Sequence, residues 1–451
     1  PIALKDNVLT RDPPTTGGAL AFAGFYPPYD ATITIDLRRA GAIVIAKTVM
    51  TELANYVTSG MPGNYSAVGG YGMNPYDPRP DPRPATADGR PAMGTGGSSS
   101  GIGTAANLWA ANIGTETSGS ILSPSNANML VGIKPTVGRI SRWGVIPITA
   151  DQDIAGPMTR TVIDAAIMMG AIDTPDPRDP SMALCSPPPG HDYLRYLSID
   201  GLRGKRIGIP RANYYDPFTA PGRTTPSGGI NAFQRAVMNE AIDLIRSLGA
   251  TIVDPANIPS IVDGTPANNY TISTAGSIVL NYGFKRDFND FLATLGSGAP
   301  VKTLTELRAF NTANAARGAI KYGQTQLDAA DARDLVAQRA QYLANRATDI
   351  RLADTHGIGE VIDVMKLDAL LFPGSSSAGI AAKAGFPTVI VPFGMIPNAP
   401  TPAFPAGFNA LPQPYGVGFT GVACSEPQLL TLAFAFEQAT KRRIAPPGAY
   451  R

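Results

Sequence analysis

Two short apolar runs, LLF within Asp368–Pro373 (DALLFP) and VIV within Pro387–Pro392 (PTVIVP), limit the fold more than any other feature of this chain. Each is too short for a helix and has no polar alternation, so each reads as a strand buried on both faces. Such strands need cover above and below, and helical patterns elsewhere supply it. In Asp30–Thr48, Asp30 is placed as an N-cap, Ile33, Ile35 and Leu37 form an apolar stripe, and Gly41 closes the helix before AIVIA, a short buried strand. Gly229–Gly249 repeats the plan, with Phe233, Val237, Ala241, Leu244 and Ile245 at helical spacing ahead of the strand ATIVD. Gly204–Pro210 (GKRIGIP) reads as a further strand, and Thr159 or Thr161 caps an apolar helix running through Met169. The region Asn268–Leu352 is mostly helical, with a Thr303/Glu306 capping box and one long amphipathic helix over Gln326–Leu352; Pro427–Lys441 closes the chain as another helix. The expectation is an α/β fold: a mixed, mostly parallel central sheet covered by helices on both faces. No repeat and no flexible linker divides residues 1–451, so a single large domain is expected.

Composition narrows the function. Of 451 residues, 44% are apolar, enough for a large core, and 37 basic against 35 acidic side chains leave a net charge of +2 without like-charge blocks. Nothing here suits a nucleic-acid or membrane-surface partner, and no apolar run reaches the ~18 residues of a membrane span. Small-molecule chemistry is the default. Cys185 and Cys424 stand far apart with no CxxC, so reduced thiols are expected and no zinc site. His191 and His356 are the only histidines, and neither lies in a motif, which argues against a His-ligated metal and a Ser-His-Asp triad. No metal or cofactor is expected. The chain opens at Pro1 without an initiator Met, so a signal peptide is unreadable; a cytoplasmic location is the expectation.

Residues 59–93 change character. Pro and Gly recur throughout, with a tandem DPRP at Asp77–Pro80 and Asp81–Pro84, so no helix or central strand can pass and a long surface loop is expected. Its Tyr65, Tyr71 and Tyr76 suit two roles equally, lining a substrate mouth or packing the loop down.

The next stretch, Gly94–Pro124, carries the chemistry. Two loops of small residues, Gly94–Gly101 and Gly114–Ser120, flank a segment of helical character, Ile102–Ile113. Small residues let backbone amides crowd a reacting atom, and hydroxyls offer a nucleophile and a proton path. Glycine- and serine-rich loops are most often plain turns. GSSSG also matches GxSxG around Ser99, but a nucleophile elbow needs a preceding strand and a histidine, for which His356 is the one candidate. No GK[ST] follows the glycines, so a phosphate loop is a poor fit. Lys5 ends the apolar run PIALKDN, and by residue type alone reads as a surface lysine at a strand end; Lys47, ending AIVIAK, is a second candidate base.

In order, PIALKDN, GGSSSG, GTETSGSI, GIKPTVGRISRWG and DIAGPMTRTV resemble the motifs of the amidase signature family, the Ser-cisSer-Lys hydrolases, and DGLRGKRIGIPR, DALLFP, GFPTVIVP and SEPQLLTLAFAFE extend the resemblance over nearly the whole chain. That family's first motif follows an N-terminal helical segment, which implies residues ahead of Pro1. The resemblance implies Lys5 as general base, Ser98 as the bridging serine on a cis Gly97–Ser98 peptide, and Ser120 as nucleophile. It implies an oxyanion hole from the amides of Thr117, Ser118, Gly119 and Ser120, and a leaving-group contact near Ala54. Lys47 and Lys134 fall at positions the family uses structurally. A lysine is a base only when neutral, so burial must lower its pKa.

The chain departs from the family pattern in four ways. The Ser98 to Ser120 spacing is short, which leaves Ser99 or Ser100 as alternative bridges. Ser118 stands where glycine is common in the oxyanion turn. Glu116 replaces an Asp, and Leu122 an Arg, so a supporting ion pair is not expected. Residues Asp77–Arg90 enlarge the loop before Ser98. The activity implied is hydrolysis of small-molecule amides, with anilides, peptide amides, esters or carbamates as substrates, by a monomer or homodimer. The alternatives are an inactive scaffold of the same fold and one subunit of a glutamine-dependent amidotransferase.

Overall fold

The structure, a computed structural model, describes residues 1–448. Among the described residues, twelve strands occur in chain order: β1 (Ile2–Lys5), β2 (Val44–Thr48), β3 (Tyr65–Ser66), β4 (Gly70–Tyr71), β5 (Ala111–Glu116), β6 (Val131–Lys134), β7 (Ile154–Thr159), β8 (Arg206–Gly208), β9 (Thr251–Val253), β10 (Ala369–Pro373), β11 (Thr388–Ile396) and β12 (Gln413–Thr420). Ten of them form one mixed sheet in the order β2-β1-β5-β7-β6-β11-β12-β10-β8-β9, and β3 pairs with β4 as a separate hairpin. Parallel pairing holds at both flanks, β2-β1-β5 and β10-β8-β9. Between them the strands pair antiparallel, so the expected parallel character belongs to the flanks and not to the middle.

Helices cover both faces. On β11, Ile390 packs with Leu122 and Ala378, from the helices Leu122–Ala127 and Ala378–Ala384. Val389, its neighbour, points to the other face, where its cross-strand partner Phe419 meets Phe436 of the helix Glu426–Thr440 at 5.8 Å between rings. One apolar core runs from Ile2 to Phe436, joining both ends of the chain. Among the described residues no helix is long and apolar enough to cross a membrane.

Four expectations need correction. AIVIA runs into β2, but β2 is an edge strand, and Ile43 just before it and Ile45 within it are exposed. The helical segment after Gly101 lasts one turn, Ile102–Ala105; from Ala111 the chain pairs with β1 and β7 as β5, because two ladders outweigh a weak local helical preference. The expected long helix is two, Thr325–Asp331 and Arg339–Ala353. Lys285 takes the carbonyls of Asp331 and Arg333, and Asp334 takes the amides of Val336 and Ala337, so the backbone between the helices is satisfied without a helix. Finally, Cys185 and Cys424 form a disulfide, with Cα atoms 5.6 Å apart across a sequence separation of 239. Only the fold brings them together, and a disulfide persists in oxidising compartments, which counts against the expected cytoplasmic location.

Residues 59–93 form the expected irregular loop, with only the β3/β4 hairpin and a single 3-10 turn, and its tyrosines pack it down. Tyr65 lies against Tyr71 and Tyr322, and Tyr76 donates to the carbonyl of Ile444. Each DPRP forms a local ion pair, Asp77 with Arg79 and Asp81 with Arg83. Those arginines lie over Phe408 and Phe404, at 4.2 and 5.1 Å from the ring centres, and clamp the loop before Ser98 to the segment before β12.

Candidate active site

Two strands and two loops converge on one buried cluster. Lys5 ends β1 between β2 and β5, and its side chain is fully buried. Its Nζ lies 3.2 Å from Ser98 Oγ, 3.0 Å from the carbonyl of Thr115 and 2.8 Å from Thr115 Oγ1. Asn7 donates to the same Thr115 hydroxyl at 3.0 Å, so β1 and β5 are tied together beside the lysine. Burial pulls the Lys5 ammonium down to about 7, against the opposing charges of Asp153 and Glu116. Its reading as a surface lysine fails because the whole of β1 lies inside the sheet.

Ser98 Oγ is 2.8 Å from Ser120 Oγ, so the three side chains form one chain of close contacts. Ser99 does something else. Its hydroxyl donates to the carbonyl of Thr115 and accepts from the Thr115 amide, and its own amide donates to the carbonyl of Ser120. It therefore stitches the serine loop to β5, and the position next to Lys5 is left to Ser98. The Gly97–Ser98 bond is not cis: among the described residues every cis bond precedes a proline. The loops approach closely enough to require glycine. A Cβ on Gly96 would sit 2.4 Å from the backbone of Pro124.

The turn after β5 is built from small residues, Ser118, Gly119 and Ser120. Gly119 has φ +93°, a conformation that favours glycine, while Ser118 is not among the positive-φ residues and exposes its side chain. A serine there is therefore compatible with the turn. Among the described residues, the amides of Ser118, Gly119 and Ser120 have no protein acceptor. Thr117 is held from behind: its hydroxyl donates to Asp153, and Gln152 donates to its carbonyl. Asp153 also accepts the amides of Ile148 and Thr149, and burial pushes its carboxyl up to about 6.

Glu116 holds the other side. One carboxylate oxygen accepts the amides of Ile121 and Leu122, at 2.7 and 2.9 Å, where the helix Leu122–Ala127 begins. The expected loss of an ion pair through Leu122 thus leaves the acid a backbone role. Glu116, Asp153, Asn7 and Thr115 received no role from sequence reasoning, although each lies in a quoted motif. That membership was the available signal.

Ala54 lines a narrow crevice with Asn7, Thr115, Thr117 and Asp153, beside the turn that follows β5. It sits in a run of three non-glycine residues with positive φ, Leu53, Ala54 and Asn55, a strained conformation that tertiary contacts must hold. Lys47 pairs with Asp6 at 3.2 Å and donates to Thr15, and Lys134 donates to the carbonyl of Phe386. Both lie outside the serine chain. His356 is held by Asp263 and Glu360, and Ser99 is engaged with Thr115, so the nucleophile-elbow reading has neither of its parts.

The model of the Amidase family matches residues 1–430. A probable amidase of Arabidopsis thaliana is 33% identical over 99% of this chain and 77% of that protein. The native peptide amidase of Stenotrophomonas maltophilia superposes with a TM-score of 0.80 at 34% identity, over 100% of this chain and 84% of that one. A glutamyl-tRNA(Gln) amidotransferase subunit of Roseobacter denitrificans is 31% identical over 97% of this chain and 83% of its own length. The chain belongs to the amidase family. Within it, the chain is a hydrolase close in structure to peptide amidases, and the amidotransferase relatives are more distant.

Proposed function

We propose that this protein hydrolyses amide bonds of small, peptide-like substrates through an acyl-enzyme on Ser120, with Ser98 as bridge and Lys5 as a neutral base. The observation that carries the reading is the continuous contact from Lys5 Nζ through Ser98 Oγ to Ser120 Oγ. A neutral amine has two N–H donors and one lone pair. The two oxygens of Thr115 take the donors, which leaves the lone pair for the Ser98 hydroxyl.

Ser120 Oγ attacks the carbonyl carbon as its proton passes to Ser98, whose own proton passes to Lys5 Nζ. The oxyanion is received by the amides of Thr117, Ser118, Gly119 and Ser120, each typically worth ~3 kcal/mol in such a site. Collapse breaks the C–N bond, and the proton on Lys5 returns through Ser98 to the departing amine. Water then attacks the acyl-enzyme with the same relay, which releases the acid and restores Ser120. The backbone carbonyl near Ala54, in the same crevice as Thr117, receives the leaving group's N–H. Peptide amides are the favoured class, from the likeness to the peptide amidase; anilides, esters and carbamates offer the same carbonyl. All three side chains come from one chain, so a monomer or homodimer suffices.

The test is intact mass after a fluorophosphonate, together with a panel of chromogenic peptide amides, anilides, esters and carbamates. The expected result is one adduct on Ser120, absent in Ser120→Ala, and turnover that this variant loses. An unmodified Ser120 in folded protein would favour an inactive scaffold. The amidotransferase reading, which the Roseobacter relative favours, predicts glutaminase activity and a stable hetero-oligomer, and turnover of peptide amides by the chain alone counts against it.

A further inference from the structure

A relay from Ser98 to Lys5 works only if the lone pair of Lys5 Nζ faces Ser98, and the contacts around Nζ leave two ways to arrange the hydrogens. The carbonyl of Thr115 can only accept, so it takes one N–H of the neutral amine. The second N–H and the lone pair are divided between the hydroxyls of Ser98 and Thr115, at 3.2 and 2.8 Å. If Thr115 donates to Nζ it occupies the lone pair, and Ser98 meets an N–H that cannot take its proton. If Thr115 accepts from Nζ, the lone pair is left for Ser98. The direction of one hydroxyl therefore decides whether Lys5 is a base toward Ser98.

Asn7 bears on that direction. Its Nδ2 donates to the carbonyl of Ile146 at 3.1 Å and to Thr115 Oγ1 at 3.0 Å, and because the carbonyl cannot donate, the amide has one orientation. Thr115 spends one lone pair on Asn7 and, in the productive arrangement, the other on Lys5. Its own hydrogen then needs an acceptor, and apart from Nζ it has none among the described residues. Asn7 Oδ1 has the converse deficit: it is an acceptor without a donor, on a residue 2% exposed. Both residues line the same crevice, a cavity of about 10 Å³, which is room for one water. A water there accepts from the Thr115 hydroxyl and donates to Asn7 Oδ1, and Asp153 on the same wall is a further acceptor.

We propose that this crevice binds a single water, held by Thr115 and Asn7, which turns the Thr115 hydroxyl away from the Lys5 lone pair and leaves that lone pair to Ser98. Asn7 is then a positioning residue that acts through Thr115. The role of the water, though not its site, rests on Lys5 being the base assigned above.

The site is tested by a crystal structure of Ser120→Ala at a resolution that shows ordered waters. A density peak within about 3.2 Å of both Thr115 Oγ1 and Asn7 Oδ1 is expected, and its absence overturns the site. This readout needs no turnover. The role is tested at Ala155, which lines the crevice and pairs with Thr115 across the β5/β7 ladder, so the two side chains share a face. Ala155→Val fills the crevice with a methyl group, whereas Ala155→Ser supplies a hydroxyl in place of the water. In Ala155→Val, kcat should fall about tenfold or more, the scale of one hydrogen bond at a reacting group, with KM unchanged, and Ala155→Ser should keep most of it. Should valine not fold, Ala155→Cys is the smaller form of the same change, since a thiol accepts only weakly. Wild-type kcat in whichever of these two folds overturns the role. Turnover retained by Ser120→Ala would instead remove the catalytic reading, and the role with it, and leave the site to stand or fall on the density.

Discussion

Replacing Lys5 by methionine tests the neutral-lysine argument without any substrate. Burial lowers the lysine from its ordinary 10.5 to about 7 in the folded protein. Between those values the unfolded chain holds a proton on Lys5 that the folded chain does not, so wild-type stability rises with pH through this window. Methionine has no proton to exchange and a similar shape. Lys47 and Lys134, both pulled down to about 8, titrate in both proteins and cancel in the difference. From about pH 7.5 to about 9.5 the wild type should therefore gain ~2.5 kcal/mol relative to Lys5→Met, near the limiting slope of ~1.36 kcal/mol per unit. Urea unfolding at closely spaced pH values measures it. A difference that stays level across the window would mean that Lys5 is charged in the native protein, and the base assignment would fall with it.

Other outcomes follow from the same contacts. kcat/KM should fall below about pH 7 as Lys5 protonates, and Glu116→Gln, by removing a negative charge that supports the ammonium, should move that acid limb to lower pH; an unmoved limb would separate Glu116 from the lysine. Ser98→Ala should cut kcat by two or more orders of magnitude, about the usual size of a lost proton-transfer group, with little change in unfolding free energy. Ser99→Ala should do the reverse, destabilising by ~1–3 kcal/mol as the buried amide and carbonyl of Thr115 lose their partner; exchanged phenotypes would reassign the bridge. Reduction of Cys185–Cys424, or Cys424→Ser, should lower stability by up to ~5 kcal/mol, because the bridge closes a loop with a sequence separation of 239, and iodoacetamide should find no free thiol in the unreduced, denatured chain.

The site was unevenly legible. Ser98, Ser120 and the oxyanion turn announce themselves as small residues in two loops, and the resemblance turned them into roles. Lys5 was legible only through the resemblance, since one lysine after three apolar residues reads equally well as a strand-end surface group. Ser98 and Ser99 are identical in type and adjacent, so only the register of their loop against Thr115 tells them apart. Asp153 and Glu116 lie in recognised motifs, but a buried carboxylate that accepts backbone amides leaves no mark in residue order.

What the sequence determined by itself was the local chemistry and the kind of layer each segment builds. The apolar cores of β10 and β11 demanded burial on both faces, the Pro/Gly tract 59–93 excluded regular structure, and the Gly94–Pro124 run held the hydroxyls. Tertiary structure decided what lies far apart in the chain. It ran the middle of the sheet antiparallel and turned Ala111 onward from helix to strand. It set Lys5 beside Ser98 across 93 positions and joined Cys185 to Cys424. The reason is physical: local preference and pattern act over a few residues, whereas ladder pairing, burial and the lowering of a lysine's pKa depend on neighbours that only the folded sheet supplies.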